Sequence, residues 1–256
     1  MIWIRSFIFS CLFYLYTVFW CVLLTPLLLF DRSIMIKAVQ TYMRCIYIFE
    51  KAILNLDFEI RGQEHLPSHG SYIIASKHQS AYETLKLHIL FGDPAIVLKK
   101  ELTDIPLWGQ ITKKIDGIAI DRKSGEKSMQ SITDSVIRMK EQERPIVIFP
   151  QGTRVPLGTP VEKKPYKSGI YKMYTASDLP VIPLAINSGL FWPKKGFLKK
   201  PGIATFEFLP PIKPGLSKTE LMSKLTTDIE THSDLLLQEA VKKYGYKYTS
   251  PEDSTS

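Results

Sequence analysis

The first 30 residues of the chain are dominated by hydrophobic positions. Residues 6–30 form an uncharged run of 25 residues, nearly all of them apolar. A helix of that length is about 37 Å long and exceeds the roughly 30 Å hydrocarbon core of a bilayer. Pro26 is expected to kink or end the helix, and no small-x-small site for signal cleavage follows the run. The pattern predicts a membrane-embedded helix that either spans the bilayer or dips into one leaflet.

A second helical pattern covers residues 33–56. Lys37, Arg44 and Lys51 recur every seven residues and share one helical face, while apolar side chains fill much of the remainder. This pattern is typical of a helix that lies in the headgroup region with its basic face outward. A surface helix packed on the protein's own core would give the same periodicity. More basic residues follow the apolar run than precede it, so the positive-inside rule predicts that the rest of the chain lies in the cytoplasm.

From about residue 57 onward, short apolar runs alternate with helical patterns. Strands are predicted at 72–75, 95–98, 118–120, 146–149, 181–186 and 204–208, and helices at 81–91, 125–142, 169–177 and 218–242. This alternation indicates an α/β fold with a mixed, mostly parallel sheet flanked by helices. We therefore expect a membrane anchor over residues 1–56, one catalytic domain over 57–248, and a frayed polar tail over 249–256.

The charge of the chain is concentrated in its middle. The net charge is +8, and residues 96–200 carry 19 Lys and Arg against 10 Asp and Glu. A basic surface can face nucleic acid, anionic lipid headgroups or a phosphorylated substrate. Nucleic acid is disfavoured because no recognition module is visible, and the apolar N-terminus favours lipid. All three cysteines lie within residues 1–56, which excludes a cysteine zinc site or a thiol nucleophile from the rest.

A histidine and a glutamate follow the strand predicted at 72–75. His78 stands where the strand ends, the position at which α/β proteins place their sites, and Glu83 follows five residues later. If His78 lies on the loop, Glu83 in the first helical turn can fix its tautomer and stabilise the imidazolium. Ser80 and Glu83 also have the spacing of a capping box, worth about 1 kcal/mol. Spacing alone leaves both roles open.

A second polar segment, Phe-Pro-Gln-Gly-Thr-Arg at 149–154, follows the strand predicted at 146–149. Gly152 can bring backbone amides close to an anion, and Arg154 can grip a phosphate with two hydrogen bonds. Taken alone, a polar loop with an arginine is common on any protein surface. The segment is therefore a candidate anion site whose meaning depends on its partners.

Together, His-x4-carboxylate and Phe-Pro-x-Gly-Thr-Arg resemble the glycerolipid acyltransferase family, particularly its bacterial 1-acylglycerol-3-phosphate O-acyltransferases. Residues 98–102 and 117–122, and the proline-centred strand at 179–185, are similar to further family blocks in the right order. Two positions depart from the family pattern. The usual aspartate after the histidine is Glu83, and the usual glutamate of the second motif is Gln151, which keeps hydrogen-bonding reach but loses the charge.

The resemblance implies a reaction and a set of site residues. A fatty acyl group would move from acyl-CoA or acyl-ACP to the sn-2 hydroxyl of 1-acyl-sn-glycerol-3-phosphate, giving phosphatidic acid for phospholipid biosynthesis. His78 would be the general base, oriented by Glu83. The acceptor would be bound by Arg122, Gln151, Gly152, Thr153 and Arg154.

The resemblance also implies no metal and no permanently bound cofactor. The expected partners are lysophosphatidic acid, the acyl thioester and the lipid bilayer, with acyl carrier protein as one candidate carrier of the acyl group and no nucleic acid. The expected location is the cytoplasmic (inner) membrane, with the catalytic domain on the cytoplasmic side. Two alternatives stay open: another lysophospholipid or phosphate-bearing acceptor, and a catalytically weak lipid-binding membrane protein, which Glu83 and Gln151 would favour.

Overall fold

The computed structural model of the chain describes residues 1–121 and 125–248, with backbone alone over 125–131. Arg122 and the tail predicted at 249–256 lie outside the described residues. The described strands are β1 (Leu56–Arg61), β2 (Ile73–Ser76), β3 (Ala95–Lys99), β4 (Ile118–Ile120), β5 (Ile146–Ile148), β6 (Val181–Ile186) and β7 (Gly202–Phe208). The helices are α1 (Ile2–Leu24), α2 (Arg32–Phe49), α3 (Leu87–Phe91), α4 (Trp108–Lys114), α5 (Gly125–Glu141), α6 (Gly169–Ser177) and α7 (Lys218–Tyr244).

The seven described strands form one sheet in the order β1-β7-β6-β2-β5-β3-β4. The five strands from β6 to β4 are mutually parallel, and β7 pairs with β6 in the antiparallel sense. β1 is parallel to β7 at the other edge. The mixed, mostly parallel sheet that the sequence predicts is thus confirmed, and the carboxyl ends of five strands lie along the same edge.

Both faces of the sheet are covered, and β2 shows how its residues divide between them. Ile73 and Ala75 point into a core shared with α5, α6 and the first half of α7. Ile74, on the opposite face, belongs to a second core that includes Phe9 of α1 and the end of α7. Successive side chains of a strand alternate between faces, and burial on both faces explains why the central strands are continuous apolar runs.

Three elements of the α/β domain differ from the prediction: β1, α4 and the helix predicted at 81–91. No helix was predicted where α4 forms. β1 was not predicted, because its apolar residues alternate with the charged Asp57, Glu59 and Arg61 and no continuous apolar run marks it. The helix predicted at 81–91 is shorter: a 3₁₀ turn at Thr84–Lys86 leads into α3. Residues 78–83 form a loop that ends in a turn before this 3₁₀ segment.

The apolar helix α1 lies along the α/β domain and contacts it towards both ends. Near its start, Phe9 is fully buried and meets the ring of Trp192 edge-on at 5.3 Å. At its end, Leu24 is buried in a cluster that includes Met35 and Ile111. The α-helix stops at Leu24 and continues as a 3₁₀ turn over Thr25–Leu29, where Pro26 predicts its end. Among the described helices, this is the one long and apolar enough to cross a membrane. Only 11% of its most apolar stretch is buried in the protein, unlike the core helix of a soluble protein.

The second helix, α2, is held to the domain by apolar and polar contacts. Its buried residues, among them Met35, Tyr42 and Ile46, pack against α1 and the domain, while its basic face is exposed. Arg32 at the start of the helix forms ion pairs with Asp93 at 2.6 Å and with Asp116 at 2.6 Å. The apolar face of α2 therefore packs on the protein itself, as expected of a surface helix, and the basic face is exposed.

A buried ion pair joins the N-terminal segment to the loop after β2. After α2 the chain makes a wider helical turn over Glu50–Leu54, and the Glu50 carboxylate contacts the Lys86 ammonium group. Both side chains are fully buried, and Lys86 Nζ lies 4.0 Å from the centroid of the Tyr82 ring. Burial raises the pKa of Glu50, while the positive charge of Lys86 opposes that shift.

This pair predicts a large asymmetry between single and double substitutions. Lys86→Met leaves the Glu50 carboxylate buried without its counter-ion and should lower the free energy of unfolding by about 3–5 kcal/mol. The double variant Glu50→Leu/Lys86→Met removes both charges and should unfold close to wild type. Urea unfolding of detergent-solubilised protein followed by circular dichroism measures both.

The matched control is Lys51→Met, because the Lys51 side chain is 60% exposed in the same helical turn, and its midpoint should stay near wild type. If the double variant is at least as unstable as Lys86→Met, the pair is not what makes the single substitution costly.

Candidate active site

The carboxyl ends of the parallel strands bring together segments that are far apart in sequence. The loop after β2 carries residues 77–83, the loop after β5 carries 149–154, and β6 leads into the turn that contains Ser188. Because these strands are neighbours and point the same way, their following loops meet at one edge of the sheet. The sequence motifs predicted that the site residues lie at this edge.

His78 and Glu83 are in direct contact. The Nδ1 atom of His78 lies 2.8 Å from Oε1 of Glu83 and donates to it, because an ionised carboxylate can only accept. The same Oε1 accepts from the backbone N–H groups of Gln79 and Ser80, both at 2.7 Å. Glu83 is fully buried. One carboxylate oxygen therefore contacts both the imidazole and the backbone of the loop. The Ser80 N–H bond of the predicted capping box is present, while the Ser80 hydroxyl accepts from the Tyr82 N–H at 3.1 Å.

The imidazole ring is supported by the second motif. It stacks on the Phe149 ring with centroids 4.0 Å apart and an angle of 21° between the planes. The N–H of Val155, just after the second motif, donates to the carbonyl oxygen of His78 at 2.7 Å. The side chain of His78 is 15% exposed. With Nδ1 committed to Glu83, Nε2 is the nitrogen that remains for proton transfer.

Lys77 holds the other side of the same loop through an ion pair. Its ammonium group contacts the Glu230 carboxylate of α7, and the Tyr166 hydroxyl donates to that carboxylate at 2.8 Å. Lys77 is 6% exposed, so this ion pair takes the place of most of the solvent around its ammonium group. The residue that precedes His78 is thus held to the helix layer on the opposite side from the imidazole.

His78 lines a cavity of about 1020 Å³. The walls are mostly apolar and come from β3, α4, α1 and α2, including Phe13, Trp20, Leu24, Val39, Leu85 and Ile111. The volume is at the upper end of the roughly 300–1,000 Å³ typical of ligand pockets. An apolar cavity of this size, with an imidazole in its wall, suits a ligand that has a long hydrocarbon part next to a reacting polar group.

The predicted binding residues divide into four groups. Gly152 and Thr153 line the cavity together with Lys99 and Lys167. Arg154 is exposed and does not line it. Gln151 is buried at 3% exposure, and its Nε2 donates to the carbonyl oxygen of Lys164 at 3.0 Å, so it holds the loop instead of facing the cavity. Arg122 belongs to a position that the structure does not describe.

Arg154 belongs to a basic cluster beside the cavity. Burial lowers the pKa of the Lys194 ammonium group, and the neighbouring positive charges of Arg154, Lys164 and Lys195 lower it further. Like charges repel one another, so the region around Arg154 carries a positive potential.

Two residues near the site were not predicted. Lys167 lines the cavity just before α6, and the Ser188 hydroxyl donates to Oε2 of Glu83 at 2.7 Å. Lys167 could have been predicted, because it lies in the loop between a predicted strand and a predicted helix, where α/β proteins place their sites. Ser188 has no local signal, because its partner lies 105 positions earlier in the chain.

Glycine at position 152 is required by the backbone. Its φ angle is 69°, in the left-handed region that costs a residue with a Cβ roughly 1–2 kcal/mol. Gly152→Ala should lower the free energy of unfolding by about that amount, as measured by urea unfolding. Gly169→Ala is the control, because no atom lies within 4 Å of a Cβ added there; an equal loss in both variants would contradict the strain argument.

The chain is similar to known proteins in both sequence and fold. The family model described as Acyltransferase matches residues 57–187. That range begins one residue into β1 and ends one residue past β6. It therefore contains His78, Glu83 and the second motif.

Two curated relatives carry the name 1-acyl-sn-glycerol-3-phosphate acyltransferase. The protein from Pseudomonas aeruginosa is 32% identical over 164 residues, which are 64% of this chain and 62% of that protein. The protein from Limnanthes alba is 31% identical over 162 residues, 62% of this chain and 56% of its own length. The match thus spans about three fifths of the length of these relatives.

A crystal structure titled as the 1-acyl-sn-glycerophosphate (LPA) acyltransferase PlsC from Thermotoga maritima superimposes with a TM-score of 0.73. The two chains are 20% identical, and the alignment covers 92% of this chain and 98% of that one. At this identity the likeness concerns the fold.

Proposed function

The chain belongs to the acyltransferase family, and from that membership we propose that it is a membrane-bound 1-acyl-sn-glycerol-3-phosphate O-acyltransferase. It would transfer a fatty acyl group from acyl-CoA or acyl-ACP to the sn-2 hydroxyl of lysophosphatidic acid, giving phosphatidic acid. The names of the relatives from Pseudomonas aeruginosa and Limnanthes alba support this acceptor.

One observation carries the proposal: an imidazole fixed by a buried carboxylate lies in the wall of a large apolar cavity. The 2.8 Å contact between His78 Nδ1 and Glu83 Oε1 holds the ring in one tautomer. The tautomer leaves Nε2 as a proton acceptor. A general base beside a hydrocarbon-sized cavity is the arrangement that acylation of a lipid hydroxyl requires.

The reaction follows from this geometry. Nε2 of His78 accepts the proton of the acceptor hydroxyl while the hydroxyl oxygen attacks the carbonyl carbon of the thioester. The negative charge of Glu83 stabilises the imidazolium that forms. The tetrahedral adduct then expels the thiolate by breaking the C–S bond, and the thiolate takes the proton back from His78. No covalent acyl-enzyme is needed.

The acceptor's phosphate group would be bound at the rim of the cavity. Gly152 and Thr153 line this part of the wall together with Lys99 and Lys167, and Arg154 adds its charge from the basic cluster outside. Arg122, by family resemblance, would contribute as well. We assign Gln151 to holding the loop, since its amide is committed to the Lys164 carbonyl.

The membrane would supply the acceptor and bind residues 1–56. Side chains of α1 that face away from the protein are large and apolar, for example Trp3 and Phe7, which are 64% and 60% exposed. The Trp3 ring stacks on Phe197 at 5.5 Å, beside the lysines of the loop at 194–200. Because α1 contacts the domain towards both ends, we propose that it lies in one leaflet, with residues 57–248 on the cytoplasmic side of the inner membrane.

The general base can be tested by removing it. His78→Ala should reduce formation of phosphatidic acid by about 100-fold or more, because no other group replaces the base. Glu83→Gln should lose at least about 10-fold, because an amide stabilises the imidazolium less than a carboxylate does. The measurement is acyl transfer from palmitoyl-CoA to lysophosphatidic acid by membranes with matched protein content.

His69→Ala is the control, since His69 is an exposed loop histidine and should keep wild-type activity. Near-normal activity of His78→Ala would show that the base assignment is wrong. Wild type that is inactive with palmitoyl-CoA and palmitoyl-ACP would favour the lipid-binding alternative, and faster acylation of another lysophospholipid would change the acceptor. Activity that stays in the soluble fraction would contradict the membrane location.

Arg154 is expected to act on the acceptor alone. Arg154→Ala should raise the KM for lysophosphatidic acid about 10-fold and leave the KM for the thioester within about twofold, because it removes one charge-assisted contact to phosphate. Steady-state kinetics with each substrate varied in turn measures the difference. Arg138→Ala, an exposed arginine on α5, should change neither constant; equal effects of Arg154→Ala on both substrates would place Arg154 elsewhere.

A further inference from the structure

Ser188 holds the second oxygen of the Glu83 carboxylate. Its hydroxyl donates to Oε2 at 2.7 Å, while Oε1 is occupied by His78 and two backbone amides. Both Ser188 and Glu83 are fully buried. Ser188 stands one residue beyond the segment that the family model matches.

The turn that carries Ser188 is fixed from three directions. The Asn187 side chain donates to a carbonyl of α7 at 3.0 Å and accepts from an N–H of β7 at 2.8 Å. The N–H of Gly189 donates to Oε1 of Gln79 at 3.0 Å. A Cβ added at Gly189 would lie 3.0 Å from the Cβ of Gln79, so the turn and the loop are in close contact. The hydroxyl of Ser188 is therefore presented to Glu83 from a rigid support.

The length of the glutamate side chain makes this double contact possible. Its carboxylate extends from the loop after β2 to the turn after β6, with one oxygen at each place. An aspartate at position 83 would be shorter by about 1.5 Å, one carbon–carbon bond. It could not keep the contacts of Oε1 and the bond to Ser188 without moving the loop.

We propose that Ser188 is a positioning residue for the His78–Glu83 pair, which fixes the carboxylate in the orientation that the imidazole needs. The inference rests on the proposed function, in which His78 is the base. Loss of the hydroxyl leaves Oε2 buried without its donor, and solvent does not replace it. The carboxylate then concentrates its charge on the imidazole side and also takes up a proton more readily. Either change inactivates the base at a higher pH than in wild type.

The first test is kinetic. In Ser188→Ala, kcat should fall about five- to tenfold with the KM of both substrates within twofold, since Ser188 does not line the cavity. The acid limb of the pH profile should move up by about half a pH unit. Ser188→Thr, which keeps a hydroxyl, should restore both. Ser177→Ala is the control, because Ser177 is also buried but its hydroxyl donates to the Met173 carbonyl within α6.

The second test is a double-mutant cycle with Glu83→Asp. If the shorter carboxylate has already lost the Ser188 bond, Ser188→Ala should have less than a twofold further effect on kcat in the aspartate background. The same five- to tenfold loss in both backgrounds would show that Ser188 acts independently of position 83 and would overturn the proposal.

A third measurement does not depend on acyl transfer. Diethyl pyrocarbonate modifies the neutral imidazole, so the rate of His78 modification against pH, followed by mass spectrometry, reports its protonation directly. Ser188→Ala should shift the midpoint upward by about half a unit, with Ser177→Ala at the wild-type value. An unchanged midpoint overturns the role of Ser188 even if the enzyme is active. An inactive wild type with a shifted midpoint refutes the proposed function and leaves the positioning role intact.

Discussion

The buried negative charge of Glu83 is the constraint on which the site depends. Removing a carboxylate from water costs on the order of several kcal/mol unless hydrogen-bond donors replace the lost solvent. Here the donors come from the loop backbone, from His78 and from the turn after β6. The same bonds tie the backbone at Gln79 and Ser80 to the carboxylate that contacts His78. The shape of the loop and the orientation of the imidazole thus depend on one side chain.

The sequence predicted those features whose causes are local. Short apolar runs identified the central strands, because strands buried on both faces have little choice of residue. The helix at Gly169–Ser177 was predicted with the same bounds. The contact between His78 and Glu83 could be anticipated because they lie only five positions apart in the chain. The two motif segments could be placed at one sheet edge because the loops that follow parallel strands lie on the same side.

Features that depend on distant parts of the chain could not be predicted. The edge strand β1 has alternating charges and is defined by its pairing with β7, nearly 150 residues later. The pairing of Glu50 with Lys86 and the contact of Ser188 with Glu83 both join separate segments. Gln151 looked available for substrate because motif position says nothing about burial, and the structure turns it inward. Tertiary packing decided each of these cases.

The way α1 and α2 pack has a consequence for modularity. They supply part of the cavity wall, including Phe13, Trp20 and Tyr42, and the segment after them supplies the counter-ion of Lys86. A fragment trimmed to residues 57–248 would open the hydrocarbon-sized cavity to water and leave a buried ammonium group unpaired. Exchange of these helices for those of a relative would reshape the cavity. The N-terminal helices and the α/β domain are thus separable in the sequence, yet they would have to be inherited and engineered as one unit.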